Sequence, residues 1–275
     1  MDQCVAGLSE RQTAHLRRYP CPQVFAVISW GCAATGWLAS VLDRHPDIFC
    51  THAANLAWHI LGDVERLDGV RYLRVIGSQG HSHLAAGDVH GVSRHHVPQI
   101  REAFGQQFNA AVVIREPFAR IRSQIGLFEQ YQQREYWDLS DVNQVLATNS
   151  VTLPSDSYRC RFFVHAVNML NAIVEEVNVG RIFRSEDLTR HPDVLGDFID
   201  EITRGKVVAS AEWLRSVIET PRINAHSDQA SFQFEDWQCE VIQKVVRPKA
   251  WELYQALGYL DLDCSIPAMQ NGVAA

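Results

Sequence analysis

The chain is built on an alternation of short continuous apolar runs with stretches whose apolar residues recur at helical spacing. Its clearest case begins at Val24. The run Val-Phe-Ala-Val-Ile over 24–28 is uninterrupted and rich in β-branched residues, as expected of a strand covered on both faces. Small residues follow from Ser29 to Gly36, and then Trp37, Leu38, Val41 and Leu42 fall on one helical stripe. Residues 110–114 repeat the pattern: a compact apolar run is closed by Arg115-Glu116-Pro117, and a helical pattern continues over about 118–131. Two strand-to-helix units of this kind predict an α/β fold, with a central parallel sheet flanked by crossover helices.

The remaining pattern fills in around these units. It predicts helices over 54–67, 97–108, 157–177, 192–203, 235–246 and 249–257, and short strands over 72–76 and 181–183. Pro98 suits a first helical turn, Pro248 separates the last two helices, and Gly258 ends the second of them. Residues 77–96, rich in Gly, Ser and His, read as a long functional loop, and 139–153 as a short helix and a loop. The implied organisation is an N-terminal arm over 1–20, one α/β domain over 21–262 and a tail over 263–275.

Composition narrows the partners. Of 275 residues 47% are hydrophobic, enough for a sizeable core, while the net charge of −7 provides no global field for nucleic acid or an anionic membrane. An anionic ligand therefore has to be held by local groups. The seven cysteines are scattered, odd in number and without a C-x-x-C pair, which suggests neither a disulfide framework nor a zinc cage and fits a reducing cytoplasm. Residues 24–42 carry no charge and are long enough to span a bilayer, but Ser29, Gly31, Thr35, Gly36 and Ser40 interrupt them and the period changes midway. The expectation is a soluble protein.

The candidate chemistry gathers after the first strand. A small-residue loop that opens a helix leaves backbone N–H groups pointing at an incoming anion, and the helix dipole favours it. Gly31-Cys32-Ala33-Ala34-Thr35-Gly36 has the two-glycine spacing of a nucleotide-binding P-loop, but Trp37-Leu38 replaces the Lys and Ser/Thr of a Walker sequence, which argues against an ATPase or kinase. In the second unit Arg115 sits at the predicted strand end and Ser123 eight residues later, where a guanidinium fork and a hydroxyl can share one phosphate. Arg120 and Arg122, beside Ser123, read as a solvated helix face.

Together these segments resemble the sulfotransferases that use 3′-phosphoadenosine 5′-phosphosulfate, PAPS. Thr35, Trp37, Leu38 and His45-Pro46 match the family's first unit, and Arg115, Pro117 and Ser123 match its second. Arg184-Ser185-Glu186-Asp187-Leu188 and Arg222-Ile223-Asn224-Ala225-His226-Ser227 extend the likeness, which runs from about Val24 to Tyr259. The resemblance implies a P-loop-like three-layer fold and a cytoplasmic enzyme, of a kind found in specialised metabolism, that sulfates a hydroxyl or amine of a small molecule and releases PAP. It gives Gly31, Cys32, Ala33, Ala34, Thr35, Gly36 and Trp37 to the 5′-phosphosulfate, and Arg115 and Ser123 to the 3′-phosphate with Arg222 assisting. No metal is required. Thr35 is a catalytic candidate, and His52 and His83 are favoured over His81 as the base that takes the acceptor's proton.

In one respect the chain departs from the family, because Cys32 stands where the family places a basic residue. A catalytically weakened, sulfotransferase-like nucleotide-binding protein is accordingly the second reading. A third takes His81, His83, Asp88 and His90 as ligands of a divalent ion in a phosphoesterase, since Gly87-Asp88-Val89-His90-Gly91 resembles a metal-binding fragment of that class; the rest of that ligand set is missing.

Overall fold

The computed structural model describes residues 21–29, 33–61, 65–131, 139–219 and 233–259. The arm, the tail, and Gly31, Cys32 and Arg222 lie outside the described residues. The described chain divides between two compact units, one drawn from Met1–Ile114 and Val177–Ile223, the other from Arg115–Glu176 and Asn224–Ala275.

The first unit is built on a five-stranded parallel sheet. Its strands are β1 (Gln23–Ile28), β2 (Ile48–His52), β3 (Ala85–Val89), β4 (Phe108–Ile114) and β5 (Arg181–Arg184), in the order β2-β3-β1-β4-β5. Every pairing is parallel, with Ala26 opposite both Asp88 and Ala110. Helices cover both faces, so the unit is a three-layer α/β structure, and β1 is fully buried at its centre. On one face Phe25 and Val27 join a core with α1 (Thr35–Asp43) and with two helices that follow β5, α10 (Pro192–Thr203) and α11 (Ala211–Ile218); Trp37, Leu38, Phe198 and Ile199 are its large members. On the other face lie α3 (Gly69–Gln79), capped by Asp68, and α4 (Val97–Phe104), burying Tyr72, Leu73, Ile76 and Ile100.

Two expectations fail between β2 and β4, for one reason. Residues 72–76 form the middle of α3 rather than a strand, because an apolar run this short cannot distinguish the two periods. The strand comes later, inside the supposed loop 77–96: β3 is Ala-Ala-Gly-Asp-Val, small residues of weak strand propensity. They are chosen by packing, since a Cβ on Gly87 would collide with the ring and carbonyl of Phe25 on β1. Between β2 and α3 runs α2 (Ala54–Leu61).

The second unit is helical, comprising α5 (Pro117–Tyr131), α6 (Val142–Asn149), α7 (Tyr158–Asn168), the short α8 (Ile173–Glu176), α12 (Asp236–Val246) and α13 (Trp251–Ala256). The single helix expected over 157–177 is divided by a 3-10 turn at Met169–Ala172. In the order of the chain, β5 is followed by the short α9 (Ser185–Leu188), and α11 was not anticipated from its sequence at all.

Candidate functional site

The chain leaves β1 through α1 toward β2, and leaves β3 through α4 toward β4, in the opposite direction along the sheet. β1 and β3 are neighbours, so their C-terminal ends form the switch point at which open α/β sheets hold ligands. The backbone is specialised here. Ala34, Ala53 and His90, which follow β1, β2 and β3, have φ of 57°, 51° and 74°, a left-handed conformation costly for residues with a Cβ. The strand ladder carries through two of them, with Ala53 N–H donating to Val89 O and His90 N–H to Val27 O, each at 2.9 Å.

Three side chains meet at this edge. Thr35, buried in the first turn of α1, places Oγ1 3.1 Å from Nε2 of His52 at the end of β2. The His52 ring stacks on His90, with centroids 6.3 Å apart and an interplanar angle of 24°. Desolvation, and secondarily the neighbouring His90, lower the His52 pKa below the ordinary histidine value of 6.5, so His52 is neutral at pH 7. His90 holds a short hydrogen bond from Nδ1 to the carbonyl of Ser29. A carbonyl can only accept, so in the neutral ring Nδ1 carries the proton and Nε2 is the basic nitrogen. From the sequence His90 stands out only as a candidate metal ligand; its signal, a histidine directly after a strand, is hidden because β3 has the composition of a loop.

The start of α1 suits an anion. Its N-cap residue, Ala34, offers no side-chain cap, and no acidic residue stands in the first turn. Ser29 Oγ, directly after β1, is buried without a hydrogen-bond partner, as is Trp37 Nε1 in α1. Trp37 is otherwise a core residue and Ala33 is buried beside it, while an added Cβ on Gly36 would lie 3.9 Å from Cε1 of His52. The amides at the start of α1 and Ser29 Oγ are donors that suit an anionic group.

Other candidates are placed elsewhere. His81 and His83 precede β3, at the N-terminal edge of the sheet, and His83 packs against Phe49 with centroids 5.9 Å apart. Strand β3 thus separates His81 and His83 from His90, and Asp88 is buried inside it, so the run is not the ligand-bearing loop of the phosphoesterase reading. Among the described residues no group of three or more His, Cys, Asp or Glu could hold a metal ion.

Arg115 and Ser123 belong to the second unit. Arg115 is half-buried directly after β4, and Ser123 is buried on α5. The carboxylate of Glu116 accepts the amides of Phe118, at 2.9 Å, and Ala119, so the first turn of α5 is already capped. Arg120 is not on a solvated face. It is buried close to Tyr254, with Nε and Nη2 lacking partners. Arg122 is mostly covered as well, with its guanidinium 5.7 Å from the centroid of the Phe234 ring.

No protein-family model matches the chain, and no curated protein matches it. Among solved structures, the crystal structure of a sulfotransferase from Alicyclobacillus acidocaldarius aligns over 86% of this chain and 95% of its own, at 15% identity and a TM-score of 0.45. No helix among the described residues is long and apolar enough to cross a membrane, because residues 24–42 are divided between β1 and α1.

Proposed function

We propose that the protein is a sulfotransferase that moves a sulfuryl group from PAPS to a hydroxyl or amine of a small molecule. The observation that carries this reading is the pair of imidazoles stacked beside the uncapped start of α1, one neutral and the other held in a single tautomer by Ser29. When bound, PAPS supplies a sulfuryl group already joined to a phosphate leaving group. The Thr35 hydroxyl and the first amides of α1 hold the oxygens at that end. Nε2 of His90 takes the proton of the acceptor, and His52 orients the Thr35 hydroxyl. The sequence resemblance assigns Arg115 and Ser123 to the 3′-phosphate, with Arg222 assisting there.

The test is transfer of labelled sulfate from PAPS to a panel of small hydroxyl and amine acceptors. His90→Ala is expected to lower turnover about 10²- to 10⁴-fold with little change in PAP affinity. Absence of PAP binding to the wild-type chain would overturn the reading. The second reading, a nucleotide-binding protein without turnover, is favoured by Cys32 at the family's cation position. It predicts PAP binding that depends on Arg115 together with no labelled product from any acceptor.

A further inference from the structure

Beneath the two histidines, on the α3 side of the sheet, is a buried carboxylate that the proposed reaction does not use. Asp88 lies in β3 with none of its surface exposed. Its Oδ2 accepts from Thr51 Oγ1 at 2.5 Å and from the Tyr72 hydroxyl at 2.6 Å, and lies 3.5 Å from the amide of Ala54. Its Oδ1 accepts from the amide of Gly91. Thr51 is the register partner of Asp88 across the β2–β3 ladder, and Tyr72 reaches it from α3.

The identity of these donors is informative. Ala54 and Gly91 follow Ala53 and His90, the two left-handed residues at the ends of β2 and β3. One carboxylate therefore ties the turn that begins beside His52 to the turn that carries His90. Gly91 has to be glycine for this, since a Cβ would collide with Asp88 Oδ1 and the Tyr72 hydroxyl. Tyr72 remains a donor because burial, and then the charge of Asp88, push its phenol well above the ordinary tyrosine range.

We infer that Asp88, with Thr51 and Tyr72, is the positioning group of the His52–His90 pair, fixing from the far face of the sheet the two turns that aim both imidazoles at the end of α1. This role in catalysis rests on the sulfotransferase reading, but its structural content does not. The Asp88-Val89-His90-Gly91 motif is thus a turn clamp, with the carboxylate reaching three residues forward along its own chain and across to β2.

The test reads the rings directly. Long-range proton–nitrogen spectra of the full chain labelled in histidine distinguish the Nδ1-protonated tautomer of His90 from the mixture of a free imidazole. Tyr72→Phe removes one donor without changing shape, and Asp88→Asn removes the charge. Both are expected to move His90 toward the free-imidazole pattern and to shift the His52 signals, while His83, at the opposite edge, keeps its own. In the transfer assay both are expected to lower kcat about 10- to 100-fold with the KM for PAPS within threefold. Unchanged His90 and His52 signals in folded Tyr72→Phe would overturn the inference, and that variant decides it if Asp88→Asn does not fold. A wild-type chain without sulfate transfer would overturn the proposed function and leave the spectra to decide the positioning role.

Discussion

At the scale of single residues, the two histidines respond to different parts of their surroundings. The His52 pKa is lowered first by desolvation and second by the charge His90 would carry. Removing His90 deletes only the second cause. In His90→Ala the His52 pKa, followed by ring-proton shifts, is expected to rise and yet stay below 6.5. Because its folded pKa is depressed, His52 makes the native state lose stability as pH falls below 6.5. Asp88 has the opposite sign. Burial outweighs its four hydrogen bonds and pushes its carboxyl up to about 6, against 3.8 unperturbed. Between those values the native state binds more protons than the unfolded state, so this group's stabilising contribution is present below about pH 4 and fades as pH rises to about 6. The difference in unfolding free energy between wild type and Asp88→Asn is expected to fall by about 3 kcal/mol across that interval, read from denaturant curves at each pH. A flat difference would mean that Asp88 ionises as it does in water.

At the scale of elements, what decides the site is how closely β3 approaches β1. Gly87 lets the two backbones meet, and Gly87→Ala is expected to cost about 1–3 kcal/mol in urea unfolding as the sheet adjusts around Phe25. The same residue explains how much could be read from the chain. β1 and β4 announce themselves by apolar runs rich in β-branched residues, and the helices around them by their stripes. β3 does not, because Ala85, Ala86 and Gly87 were selected for thinness rather than for strand propensity. Mistaking it for a loop put His83 and His90 in one flexible segment, when a strand separates them. The place of Thr35 at the start of α1 was legible because β1 and α1 have clear patterns; the cluster at Asp88 was not, since a carboxylate inside a strand gives no sign that four donors converge on it. The expectation of a solvated face at Arg120 fails for a related reason. Arg120 is buried in the helical unit close to Tyr254, and a helical period gives the spacing of charges without telling which face is covered.

At the scale of the molecule, the net charge of −7 makes nucleotide binding a severe test of the reading, because a polyanion is attracted only where local donors outweigh the global field. A ligand that binds the native state alone stabilises it by about 2.7 kcal/mol at a hundredfold excess over its Kd, and in a protein of this size each kcal/mol moves the midpoint by about 2–4 °C. Saturating PAP is therefore expected to raise Tm by roughly 5–10 °C in scanning calorimetry, by the same arithmetic. AMP, which lacks the 3′-phosphate, should give a clearly smaller shift if Arg115 and Ser123 read that group. Arg115→Ala should bring the PAP shift down to the AMP level and leave the AMP shift unchanged. Cys32→Lys is expected to act on the other phosphate, restoring a cation at the position where the family has one and raising turnover without altering the advantage of PAP over AMP. Equal shifts with PAP and AMP in the wild-type chain would remove the 3′-phosphate from the assignment and, with it, the resemblance that joins Arg115 to the loop at Thr35.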